Sequence, residues 1–272
     1  MNMFCFQCQE TARGTGCTVK GVCGKDPQTA AYMDVLLYAV RGIAIVNRTL
    51  REKGTADNEI DHFVLDALFC TITNANFDDE AIIVRIKKAF EIKNMIVMPM
   101  AIQNNTKPIK KRNIALPDMP EVAYFVSEEN YLAEAAEVGV LSEPNEDLRS
   151  LKQMVIYGVK GAAAYTEHAL NLGFEDHDIY AMIENALAEI SRSDISAEEL
   201  VSLVLNVGEC GGKAMALLDK ANTSSYGNPE ITKVNIGVGK RPGILVSGHD
   251  LKDFEELLEQ TDGQGVDVYT HS

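Results

Sequence analysis

Four cysteines stand within the first 23 residues at the spacing Cys5-x2-Cys8-x8-Cys17-x5-Cys23, and only Cys70 and Cys210 follow. Thiolate is a soft ligand that suits zinc and iron–sulfur clusters, and four in one short stretch can close a tetrahedral site or clasp the corners of a cube. The intervening residues are short, polar and glycine-bearing. Gly14, Gly16, Gly21 and Gly24 let the backbone curl around an object and aim amides at its sulfurs. A disulfide framework is the poorest reading, because the N-terminus MNMFCFQCQE lacks the regions of an export signal and a chain of 272 residues needs no staples. Structural zinc stays open at this point, although zinc knuckles usually pair two closely spaced cysteine couples and the second couple here is stretched to five intervening residues. Spacing and compactness favour an iron–sulfur cluster.

Histidines are the other soft-metal ligands. In open α/β sheets, ligands gather at the carboxyl ends of strands. His249 lies in the turn Ser247-Gly248-His249-Asp250 after one apolar run, and His271 ends the next, so both imidazoles can face one crevice. His249 is the better candidate, because Gly248 frees the backbone and a helix start follows; a turn histidine by itself is a weak signal. His168, in YTEHAL, reads as a packed or capped mid-helix residue, since no cysteine or second histidine sits at helical spacing around it. Gly237-Val-Gly239-Lys240 resembles part of a phosphate loop but precedes the strand and lacks the following serine or threonine, which excludes nucleotide binding there.

The elements that must position these residues are mostly helical. Asp26-Pro27 reads as N-cap and first residue of a helix to about Gly54, with Leu36, Val40, Ile43, Val46 and Leu50 on its buried face. Further helices are expected over about 59–74, with Cys70 as a buried small hydrophobe, and from near Asp78, the three forming an antiparallel bundle. Pro99, Pro108, Pro117 and Pro120 mark an extended connection separating this bundle from the rest. Helices then return over 147–172, 177–191 and 197–220, the first carrying Gly158, Gly161 and Ala162 to Ala164 for close approach of a neighbour. At Tyr226 to Pro229 the texture changes. Ile244 to Val246, a helix over 250–260 capped by Asp250, and Val266 to Tyr269 make one β-α-β unit with parallel strands. The expected fold class is therefore mainly α, with helical bundles carrying a cysteine-rich loop (1–25) in a domain over 1–222. An incomplete Rossmann-like α/β domain follows over 223–272. Two parallel strands are normally extended and covered on both faces, so a partner or further polypeptide should complete this sheet.

Composition narrows the function. The chain has 25 basic and 40 acidic residues, a net charge of −15, which repels phosphate backbones and anionic membrane surfaces. Nucleic acid and membrane are therefore not expected as partners. The basic island Lys107 to Arg112 reads as a solvated loop face, or else a dock for an acidic redox partner. No apolar run is expected to approach a membrane span, and a cytoplasmic location is the corresponding expectation.

The segments FCFQCQET, GCTVKGVCGK, LKQMVIYGVKGAAAYTEHA, LLDKANTSSYGNPE and ILVSGHDLKDFEELLEQTDGQGVDVYTHS together resemble the N-terminal half of the hybrid-cluster proteins, also called prismane proteins or hydroxylamine reductases. The likeness runs over essentially the whole chain, and the x2, x8, x5 spacing resembles the branch whose first cluster is a 4Fe-4S cubane. The resemblance implies that Cys5, Cys8, Cys17 and Cys23 hold the cubane and that His249 ligates the hybrid iron–sulfur–oxygen cluster where substrate is reduced. It implies two-electron reduction of hydroxylamine to ammonia and water, with nitric oxide as another substrate and a redox protein as electron donor. In this family a glutamate ligand follows the segment matching Tyr269 to Ser272, and the cysteines, second glutamate and lysine of the hybrid site come later. None of these is present, so the resemblance implies a missing C-terminal half, without which the chain should be inactive. A non-enzymatic electron-transfer or redox-sensing module using only the cubane is the alternative. Carbon monoxide dehydrogenases are a more distant one, because FCFQCQET fits the hybrid-cluster family better.

Overall fold

Helix α1 (Pro27–Glu52) is the axis around which the chain folds. Its proline stands at the first helical position behind an extended Asp26. Val35, Leu36, Ala39, Val40, Ile43, Ala44 and Val46 are all fully buried. A helix apolar on so many faces has to be surrounded. In the computed structural model it packs against α2 (Asn58–Cys70), α3 (Asp79–Gln103), α4 (Tyr131–Val138) and α6 (His177–Glu189). The structure describes all residues except 1, 2, 9, 73–75, 104–118, 128, 129, 249 and 272, and backbone alone over 97–103. The basic island at 107–112 and His249 thus lie outside the described residues.

The second long pairing joins α5 (Glu146–Asn171) to α7 (Ala197–Tyr226), and α5 also packs on α2. Asn145 caps α5 by accepting from the Asp147 and Leu148 amides, and Ser196 with Glu199 forms a reciprocal capping box on α7. Gly158 gives the close approach read from sequence, because a Cβ there would strike Val207 of α7; Gly161, by contrast, faces open space.

Three expectations are corrected. Pro99 lies inside α3 rather than in an extended connection. The first three helices are not a separate bundle, since one continuous core cluster runs from Ala31 through Val64, Ile86, Val159 and Ile183 to Ala214. The cause is α1, whose several apolar faces serve both halves. Finally, α1 and α7 are each long and apolar enough to cross a membrane by length and composition. The apolar window of α1 is 83% buried within the protein, as a core helix requires, whereas that of α7 is 28% buried and leaves Val201, Leu205 and Met215 exposed.

One polar cluster is enclosed by these helices. Asn47 donates to Asp61 (2.8 Å) and Glu184 (2.6 Å), and Arg51 donates to the same two carboxylates at 2.6 and 3.1 Å. The side chains of Asp61 and Glu184 are 0% and 2% exposed. Burial, helped by neighbouring Asp61, pushes the Glu184 carboxyl up against the pull of Asn47 and Arg51. The buried Asp61 carboxylate and the Glu184 carboxyl beside it depend on Arg51 for positive charge and hydrogen-bond donors. Arg51→Met should therefore lower stability by about 3–5 kcal/mol, read as a drop in the denaturant midpoint; a change near zero would show the cluster to be idle.

The last elements are β1 (Gly243–Ser247), α8 (Leu251–Thr261) and β2 (Asp267–His271). The strands pair parallel, with Gly243 opposite Asp267 and Ser247 opposite His271. Asp250 caps α8 by accepting from the Asp253 amide. The unit buries almost nothing of its own: α8 has no buried residue, Leu245 is 71% exposed, and Ile231, Val234, Ile236 and Val238 stand open in the segment leading to it. Its described ties to the helices are polar. His168 of α5 pairs with the Asp250 carboxylate, and the Tyr226 hydroxyl donates to Glu255 (3.0 Å).

Candidate metal centre

The cysteine loop folds back on itself so that Cys5 and Cys17 face each other as an isolated antiparallel bridge. The Cys5 amide donates to the Cys17 carbonyl (3.1 Å) and the Cys17 amide to the Cys5 carbonyl (2.8 Å). The reversal between them uses a turn closed by the Thr11 amide on the Cys8 carbonyl and a short 3-10 helix, Ala12–Gly14. Gly16 is required where the loop passes the Phe4 ring, since a Cβ would stand 2.7 Å from its edge.

The two bridged thiols are held differently. Cys17 is buried, and its Sγ accepts from the Ala12 amide (3.4 Å) with the Thr11 hydroxyl at 3.7 Å. The Ala12 hydrogen bond holds the Cys17 thiol below its ordinary pKa. Burial raises that of Cys5, against the Gln7 amide and the positive charge of Lys25. Cys8 is half-buried and Cys23 exposed; a Cβ at Gly21 would come within 3.0 Å of the Cys23 sulfur. All four candidates thus belong to one loop, with Cys5 and Cys17 directly paired. Among the described residues no three cysteine, histidine, aspartate or glutamate side chains are gathered around a point as a single-ion site would gather them.

Behind the loop stands a set of groups that spacing did not reveal. Phe6, between the first two cysteines, packs edge-on against Tyr157 of α5 (5.9 Å between centroids). The Tyr157 hydroxyl is buried with no hydrogen-bond partner among the described residues, and burial, with Cys5, Asp34 and Cys8 nearby, raises its pKa. Desolvation also lifts the Asp34 carboxyl to about 7. Lys25 and Lys160 are each 2% exposed, and both act electrostatically on Cys5. One signal for Lys160 was legible: it falls on the same helical face as Ile156 and Ala163, a lysine where the period demands an apolar residue.

These features suit an iron–sulfur group. Such clusters are held by thiolates and tuned by hydrogen bonds to sulfur, and the Ala12 amide, the Tyr157 hydroxyl, unpartnered among the described residues, and two buried lysines stand beside thiols of this loop, Cys5 above all.

The other sequence candidates resolve separately. His168 packs edge-on against Phe69 (5.2 Å) besides pairing with Asp250, as its mid-helix position suggested. His271 Nδ1 lies 3.0 Å from the Ser247 hydroxyl, at the carboxyl ends of the two strands. Cys70 is buried and receives the Asn76 amide (3.4 Å) at its sulfur, while burial raises Cys210 to about 11. Both behave as core residues.

The fold and the loop define a class of helical proteins that carry a cysteine-rich N-terminal segment and continue into an α/β unit. The chain belongs to the Prismane/CO dehydrogenase family, whose sequence model matches residues 3–272. It is similar over its full length to proteins named hydroxylamine reductase: 55% identical to one from Bacteroides thetaiotaomicron, 54% to one from Bacteroides fragilis and 50% to one from Desulfitobacterium hafniense. In each case 100% of this chain aligns with 48% of the relative. The chain therefore spans about half the length of the curated relatives it matches.

Proposed function

We propose that this chain is the N-terminal portion of a hydroxylamine-reducing oxidoreductase, with Cys5, Cys8, Cys17 and Cys23 as ligands of a 4Fe-4S cluster. His249 is then one ligand of a hybrid iron–sulfur–oxygen cluster whose other ligands lie in the remaining half. The observation that carries the reading is the Cys5–Cys17 bridge with its amide-to-sulfur hydrogen bond, in a chain 50–55% identical from end to end to proteins named for that reaction.

The reaction is NH2OH + 2 e− + 2 H+ → NH3 + H2O, with electrons from a reduced redox carrier; nitric oxide is a second candidate substrate. When bound, the first cluster would relay electrons and the hybrid cluster would offer an iron site open to the N–O group. The chain's own residues do the holding. The Ala12 amide fixes the Cys17 sulfur, the bridge fixes the Cys5 backbone, and Gly21 leaves room for the Cys23 sulfur. We further read residues 1–222 as one helical domain, 223–272 as the start of an α/β domain, and the cytoplasm as the site of action. The near absence of buried residues in the β-α-β unit supports a missing half that covers it.

A non-enzymatic electron-transfer or redox-sensing module is the second reading, favoured by all four loop cysteines lying within residues 5–23. The two separate in one assay. Residues 1–272 alone should show no hydroxylamine turnover with reduced viologen, and co-expression with the remaining half should produce it. Turnover by the chain alone would overturn the assignment of catalysis to a completed site, and none after completion would favour the electron-transfer reading.

A further inference from the structure

Lys160 places its amino group in the core without an ion-pair partner among the described residues, where burial and the neighbouring Lys25 push its pKa down to about 7, and this arrangement needs a reason. It is 2% exposed, on α5. Its Nζ donates to the Gln7 side-chain oxygen (3.2 Å), inside the cysteine loop, and to the Thr71 carbonyl (3.1 Å) at the end of α2. Both acceptors are neutral. Lys25, equally buried, adds a second positive charge nearby, and the Asp34 carboxyl, itself lifted to about 7, is the acidic group that acts on Lys160 most strongly. A buried cation without an anion is costly, because nothing replaces the hydration it loses. Of the loop cysteines, Cys5 lies within its field, and a coordinated thiol becomes anionic because it is deprotonated.

We infer that the Lys160 ammonium is the counter-charge of the cysteine-loop site: it offsets the negative charge that four thiolates bring and, through Gln7, holds the Cys5–Cys8 segment in place. This rests on the cluster assignment above. It makes Lys160 a positioning residue whose effect changes sign with loading. In the metal-free chain the charge is a burden; in the loaded chain it stabilises the more negative, reduced state.

The test compares Lys160→Met and Lys160→Gln with the parent, purified anaerobically. Three quantities are measured: the melting temperature after chelation, the iron and sulfide content, and the reduction potential by spectroelectrochemical titration. The metal-free Met variant should melt no lower than the parent. In the loaded forms both neutral variants should lower the equilibrium constant for one-electron reduction about tenfold, a potential about 59 mV more negative. The Gln variant retains a donor for Gln7 and Thr71, so its behaving like Met marks charge as the cause. A potential that stays at the parent value in both variants overturns the inference, as does a Gln variant that restores it or a metal-free Met variant that melts well below the parent. A parent chain without labile sulfide would instead overturn the cluster assignment.

Discussion

Cys17→Ser should strip the chain of its iron, whereas Cys70→Ser should leave the iron content at the parent level. Cys17 is the most constrained of the four loop cysteines. It is buried, bridged to Cys5 through two backbone hydrogen bonds and held at its sulfur by the Ala12 amide. A serine oxygen is a hard donor and a poor substitute for thiolate at iron. Cys70 is equally buried, but its sulfur receives the Asn76 side chain and belongs to the helical core. The expected pair of results is loss of the brown chromophore in one variant and retention of about four irons per chain in the other. Equal iron in both would remove Cys17 from the ligand set.

His249→Ala in the completed protein should abolish hydroxylamine turnover, a loss of at least about a thousandfold, on the order of 4 kcal/mol in barrier, while the iron held by the N-terminal loop remains. The position follows β1 and precedes the α8 cap, at the carboxyl end of a strand, where α/β sheets place their ligands. The cubane would not take over, because four cysteines cap its irons and leave substrate no open position. Parallel measurement of turnover and of iron per chain separates the two clusters. Turnover within a few fold of the parent would exclude His249 as a ligand.

Much of this fold was legible because its signals are local. Asp26-Pro27 announced α1, Asp250 announced α8, and the glycine at 227 ends α7 with positive φ. The parallel β-α-β unit followed from three short segments. What sequence missed was tertiary. The burial of α1 on nearly every face makes one core of what looked like two bundles, and amphipathic periodicity does not predict such a helix. Pro99 sits within α3, although a proline ordinarily interrupts a helix. At the site, the cysteines were visible from type and spacing, yet their electrostatic surroundings were not. Lys160 is 153 residues from Gln7 and reaches it only because α5 packs behind the loop. Asp34 and Tyr157 likewise arrive from separate helices. No periodicity joins such residues, and only the misplaced polarity of Lys160 within an apolar face pointed at it.

Metal and sulfide analysis distinguishes an iron–sulfur cluster in the first 25 residues from zinc. Residues 1–272 purified without oxygen should contain about four irons and about four acid-labile sulfides per chain, with an electron paramagnetic signal appearing on one-electron reduction. Stoichiometric zinc, no labile sulfide and no paramagnetic signal on reduction would rule out an iron–sulfur cluster in this loop.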